Sequence, residues 1–161
     1  MGAPLAYFIT WRTYASRLHG GSEPTVDRRH NAVDTPMVPR VPSIHAYERD
    51  LAPLPWILSD RERAVVDSTI RQVAVHRGWD LRALNVRTTH VHAVVTAEAT
   101  PEKVMNDFKA WSTRRLRNAG IVQDEKIWAR HGSTRWLWTE AHVHGAVRYT
   151  LEEQVKGPQS E

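Results

Sequence analysis

His90-Val91-His92 sets two imidazoles on either side of a valine, and β-branched residues follow in Val94-Val95-Thr96. Such a run favours a strand. Side chains alternate faces along a strand, so His90 and His92 point one way and Val91 the other. Two imidazoles about 6–7 Å apart on one strand face can share a metal ion. The same tripeptide recurs as His142-Val143-His144, inside a stretch from Thr139 to Gln154 that reads as a helix. There the two rings diverge by roughly 200° and cannot act as a pair, so the second copy serves as an internal control. The chain has no cysteine, which excludes disulfides and thiolate ligands. A metal would have to take His, carboxylate, amide or water.

The second reactive group is Tyr149. On the Thr139–Gln154 helix the apolar stripe is Val143, Val147, Thr150 and Leu151, and Tyr149 lies roughly 140° from its middle. Glu153 projects about 40° from Tyr149, one turn on. Glu152 flanks on the other side, and Gln154 falls back into the stripe. Taken alone, this is a half-exposed tyrosine on an acidic helix end.

Stepping outward, 161 residues suit one domain with a real core. No apolar run approaches a membrane span, and no signal peptide opens the chain, so the expected location is the cytoplasm with no membrane partner. Lys and Arg (22) exceed Asp and Glu (18), a balance of +4, and the pI is near 9.8. That leans toward a polyanionic partner. Seven tryptophans are present, of which Trp111, Trp136 and Trp138 are candidates for stacking on bases, although core packing accounts for at least two of them.

The elements that must position these residues follow in order. Leu5 to Tyr14 reads as a first strand. From about 15 to 55 the pattern dissolves among Gly20-Gly21 and repeated prolines into an irregular insertion. Its Asp27-Arg28-Arg29-His30-Asn31 knot offers Arg28 and Arg29 to a phosphate backbone or simply forms a solvated turn. Ser59 to Arg77 reads as a helix opened by a Ser59/Glu62 capping box and closed by Gly78. Leu81–Arg87 and His90–Ala97 form an antiparallel hairpin. Thr100-Pro101 opens a second helix, with Val104, Met105, Phe108, Trp111 and Leu116 as its core face and Gly120 at its end. Arg115 falls among those apolar positions, so it requires a core carboxylate or a phosphate. Ile127-Trp128 and Thr134–Trp138 read as short strands. The order predicts an α+β fold, a ferredoxin-like split βαβ. Its central antiparallel sheet carries helices on one face, and a C-terminal helix bears the tyrosine. One domain spans 1–157, and 158–161 form a tail.

An H-x-H strand followed by a C-terminal helical tyrosine resembles the single-tyrosine HUH transposases, in their IS200-like and REP-associated branch. The stretches that carry the likeness are His90–Val95, Phe108–Leu116, Lys126-Ile127-Trp128 with His131–Thr134, and Ala146–Tyr149, with Tyr7–Thr10 as the first strand. The resemblance covers nearly the whole chain and implies cleavage and rejoining of single-stranded, hairpin-containing DNA. It implies Tyr149 as nucleophile, forming a 5′-phosphotyrosine, and Mg²⁺ or Mn²⁺ held by His90, His92 and a side chain one turn past the tyrosine. In the family that third ligand is usually Gln or Asn. Here helical spacing favours Glu153, with Gln154 as the substitute. Lys109, Arg114 and Arg115 are candidate phosphate contacts, Trp111 a stacking residue, and a homodimer is possible. No residue stands out as a general base. The alternative is a non-catalytic single-stranded nucleic-acid-binding module on the same fold, but histidines stand where such modules place stacking aromatics. A phosphoesterase with paired His-x-Ser/Thr motifs finds only His131-Gly132-Ser133, and larger HUH initiators and relaxases exceed this chain in length.

Overall fold

The computed structural model describes residues 2–16 and 54–155, with side chains in the last helix described as far as Glu152. Arg28, Arg29 and Tyr47 lie outside the described residues.

Among the described residues, four strands and three helices follow in the order β1 (Ala6–Arg12), α1 (Asp60–Arg77), β2 (Asp80–Val86), β3 (His90–Thr96), α2 (Pro101–Asn118), β4 (Ser133–Leu137) and α3 (Glu140–Val155). The sheet order is β2-β3-β1-β4, and every neighbouring pair is antiparallel. The two halves interlock, because the strand from the first half, β1, is paired between strands from the second. This is the split βαβ arrangement expected of the sequence.

Local chemistry fixes the helix ends. The Ser59 hydroxyl accepts the Glu62 N–H at 3.1 Å, and Glu62 Oε1 accepts the Ser59 N–H at 3.2 Å. These reciprocal bonds satisfy donors that the first turn cannot. The second Glu62 oxygen accepts Trp56 Nε1 at 3.0 Å, which fastens the entering chain to the helix. Gly78 stops α1 at φ +73°, a conformation that costs glycine little. Thr100 caps α2, with Pro101 in its first turn. Thr139 Oγ1 accepts the His142 N–H at 3.1 Å and opens α3.

Strand alternation divides the core in two. Tyr7, Ile9, Trp11, Val91, Ala93 and Val95 face α1 and α2, where they pack with Val66, Ile70, Val104, Phe108 and Leu116. Each Val, Ile, Leu or Phe among them, when fully buried, contributes about 1.5–3 kcal/mol. The opposite face is smaller. Ala6, Ala83, Val94, Leu137 and Val143 are buried there, with Phe8, Ala146 and Val147 against them. Among the described residues, helices α1 and α2 thus share one face, and the tyrosine-bearing α3 lies across the other.

Three sequence expectations shift. Ile127-Trp128 forms no strand: only an isolated bridge joins Trp128 to Thr13, because the segment meets β1 just past its end. Arg115 is exposed rather than set in the core; it lies in the last turn of α2, where a long side chain can carry its charge to water. The packed stripe of α3 keeps Val143, Val147 and Thr150 and takes Ala146 in place of Leu151, which is 44% exposed. That rotation brings Tyr149 closer to the sheet than the apolar pattern implies.

Candidate active site

His90 and His92 share a face, as their spacing on β3 requires, and the two rings lie 4.7 Å apart between centroids at 71°. Val91 between them is fully buried in the main core. The histidines are themselves only 8% and 7% exposed. Buried polar rings need partners, and β1 supplies them for His92. Thr10 Oγ1 is 2.8 Å from His92 Nδ1, while Phe8 stacks on the ring at 5.6 Å and 20°. His90 Nδ1 has Thr89 Oγ1 at a longer 3.4 Å.

These contacts bear on metal binding. A hydroxyl at Nδ1 can accept the ring proton there, which leaves Nε2 bare as the ligating nitrogen. Two imidazoles held in that tautomer would form a donor set that fits a divalent cation. Among the described residues no third His, Asp or Glu joins them in a metal-holding group. Glu153 and Gln154 belong to α3, but their side chains lie outside the described ones.

Tyr149 reaches this pair within a single chain. Its ring centroid is 5.6 Å from that of His92 and 6.0 Å from that of Phe8, edge-on to both. It is 50% exposed, so one side rests on the histidine strand while the other meets solvent. The turn that carries it is anchored from β2. Asn85, the cross-strand partner of His92, donates Nδ2 to the Thr150 carbonyl at 3.2 Å. The other described tyrosines are engaged elsewhere. The Tyr7 hydroxyl donates to the Ala99 carbonyl at 2.9 Å on the opposite face, and burial, with Glu102 nearby, raises its pKa. Lys126 Nζ sits 4.8 Å over the ring of Tyr14. The second H-V-H copy behaves as a helix dictates: Val143 is buried, while His142 and His144 are exposed.

The expected DNA contacts on α2 are not brought to this site. Lys109, Trp111, Arg114 and Arg115 stand on the helix that covers the other face of the sheet. Lys109 Nζ donates to the carbonyls of Ala129 and His131 at 3.0 and 2.6 Å. It therefore ties α2 to the segment that leads into β4. That segment is closely held, since a Cβ at Gly132 would come within 2.6 Å of the Thr10 carbonyl oxygen. Trp111 is half-buried and carries the Arg114 guanidinium 4.4 Å above its ring. Trp136 and Trp138 are 45% and 38% exposed, with ring centroids 5.5 Å apart. Thr10, Asn85 and Phe8 are site residues that the sequence did not single out. Their signal is cross-strand register, which no local pattern carries.

Burial lowers the pKa of Lys109 to about 8. Between that value and the ordinary lysine value the unfolded chain binds the proton that the folded chain has lost, so stability should rise with pH through this window. The urea midpoint is expected to increase from pH 7.5 to 9.5, and Lys109→Met should remove that increase. A midpoint that falls over this range in the wild type and not in the variant would show that the two carbonyls favour the ammonium more than burial opposes it.

Among the described residues no helix is long and apolar enough to cross a membrane. The fold is similar to that of a candidate transposase from Deinococcus radiodurans R1, at 17% identity, TM-score 0.52, and coverage of 96% of this chain and 93% of that one. It is similar also to a REP-associated tyrosine transposase bound to a REP hairpin, at 13% identity, TM-score 0.55, and coverage of 96% and 69%. No curated protein matches the sequence. The profile of the family described as "Transposase IS200 like" matches residues 56–156, a stretch that contains the histidine strand, α2 and the tyrosine helix, and the chain belongs to that family.

Proposed function

We propose that this protein is a metal-dependent endonuclease and strand transferase for single-stranded DNA that carries hairpins, acting through Tyr149. The observation that supports this best is the edge contact of Tyr149 with His92 inside one chain. The proposed nucleophile and the proposed pair of ligating rings share one surface.

Tyr149 Oη would attack the phosphorus, forming an O–P bond as the phenol loses its proton. The bond from phosphorus to the 3′ oxygen breaks, and that oxygen leaves as a 3′-hydroxyl after taking up a proton. The 5′ side remains joined to Tyr149. The 3′-hydroxyl of another strand can reverse the step, because the ester linkage keeps its free energy. Tyrosine has an ordinary pKa of about 10 and is a weak nucleophile near neutrality, so it depends on its surroundings. A divalent ion, Mg²⁺ or Mn²⁺, held by His90, His92 and Glu153 (or Gln154), would neutralise and orient the phosphate. His92 is held for this by Thr10 and Phe8, and Asn85 holds the turn that bears the tyrosine. The tyrosine and the histidine pair meet here within one chain.

The hairpin has a candidate docking place on the other face of the sheet. Asn106, Lys109, Thr113, Arg114, Arg117 and Trp128 line a cleft of about 510 Å³ along α2. Its cationic and amide side chains suit a duplex backbone, and a hairpin-bound relative of the same fold supports such a ligand. The site of action would be the cytoplasm, where the DNA is.

The test is covalent capture. Wild-type protein incubated with Mn²⁺ and a panel of single strands bearing different hairpins should yield a denaturation-resistant protein–DNA adduct with at least one. The adduct should be lost on chelation with EDTA. Binding to the panel with no adduct under any divalent metal would favour the non-catalytic module instead.

A further inference from the structure

Strand β1 runs alongside the histidines, and its alternate residues Phe8, Thr10 and Arg12 stand on their face. Phe8 and Thr10 touch His92 directly, and Arg12 is the cross-strand partner of His90. On the far side of β1, Ser133 of β4 pairs with Thr10, and Arg135 pairs with Phe8. Arg135 is exposed and Arg12 half-buried. Helix α3 packs chiefly on β2 and β3, so among the described residues the β1–β4 half of this face is its less covered half. Neither strand contains an acidic residue.

The two arginines therefore bracket the site along one line. Arg135 lies on the Phe8 row, Arg12 on the His90 row, and the His92 ring against which Tyr149 rests lies between them. Four residues of strand separate the rows, about 13 Å. One strand of a duplex advances about 3.4 Å per nucleotide, and a strand drawn out to about twice that still accommodates phosphates on both sides of a central one within this distance. Guanidinium groups match phosphate oxygens with paired donors.

We propose that single-stranded DNA crosses this face along β1 and β4, with Arg135 and Arg12 binding backbone phosphates on opposite sides of the phosphate that Tyr149 attacks. This rests on the tyrosine reading above and adds the path of the strand. It relocates the single-strand phosphate contacts from α2 to the sheet face that bears the histidines.

The test uses full-length protein carrying Tyr149→Phe, so that no adduct forms, and a fluorescent oligothymidylate as probe. Affinity is followed by anisotropy over a range of salt. Each phosphate contact on a single strand contributes about 0.7 to the slope of log affinity against log salt. Arg12→Gln and Arg135→Gln should each lower the slope by about 0.7, and the double variant by about 1.4. Arg12→Lys and Arg135→Lys should keep it. Arg71→Gln is the control, since Arg71 pairs with Asp67 on α1, over the opposite face, and should leave the slope unchanged. Unaltered slopes in both glutamine variants, an equal loss in Arg71→Gln, or no binding of oligothymidylate at all would overturn the proposal. If slopes are unaltered while wild-type protein forms its adduct, the track alone fails. If the slopes fall as expected but no adduct forms on any hairpin, the track stands and the tyrosine reading fails.

Discussion

Tyr149→Phe is expected to abolish the covalent protein–DNA adduct and all strand transfer while leaving the fold and DNA binding intact. The substitution removes one oxygen. The ring itself makes the edge contacts with Phe8 and His92, and phenylalanine reproduces them. The side chain is half-exposed, so the change in stability should stay within about 0.5 kcal/mol, and the affinity for oligothymidylate should hold within about twofold. Gel mobility after denaturation reads the adduct, and peptide mapping places it. An adduct that survives in the variant, or that maps to Tyr14 or Tyr47, would remove Tyr149 as the nucleophile. Tyr7 is the least suited of the others, because its hydroxyl is bonded to the Ala99 carbonyl on the wrong face.

The second large effect is expected from His92→Ala. Calorimetric titration with Mn²⁺ should show binding weakened by more than about 100-fold, since loss of a ligand should exceed the 10–100-fold cost of disturbing a residue that merely supports one. Adduct formation should disappear with it. The variant also leaves Phe8 without its stacked ring and the Thr10 hydroxyl without its nitrogen, so stability should fall by about 1–3 kcal/mol, which circular dichroism and urea melts would separate from loss of fold. His142→Ala supplies the control. It removes a histidine from the same tripeptide on an exposed helix surface, so metal binding should be unchanged. Equal Mn²⁺ affinity in His92→Ala and the wild type would exclude the β3 pair as the metal site.

Much of this was legible in the sequence because it depends on neighbours along the chain. Strand alternation alone sends His90 and His92 to one face and Val91 to the other, and helical rotation alone splits His142 from His144. Ser59 with Glu62, Thr100 with Pro101, and Gly78 mark helix ends because capping is decided within one turn. The order of those elements predicts the split βαβ sheet, and the placement of Tyr149 on the last helix follows from the same local rules.

What only the tertiary structure decided is which residues from different elements meet. Thr10 reaches His92, and Arg12 stands beside His90, because β1 pairs with β3 in one register out of many. A register slip of one residue would send both to the opposite face, and nothing within β1 itself chooses between the two. Lys109 reads as a phosphate contact by charge and helix position, and only the fold shows that the chain returning at Ala129–His131 brings two carbonyls to its amine. Arg115 and Leu151 show the same limit in reverse. Angular position on a helix says which way a side chain points, whereas exposure depends on what packs opposite, and in both cases nothing covers the side chain enough to bury it. The chemistry of the histidine pair is thus written into a single strand, while its supporting residues and the proposed path for DNA exist only after distant strands have been aligned.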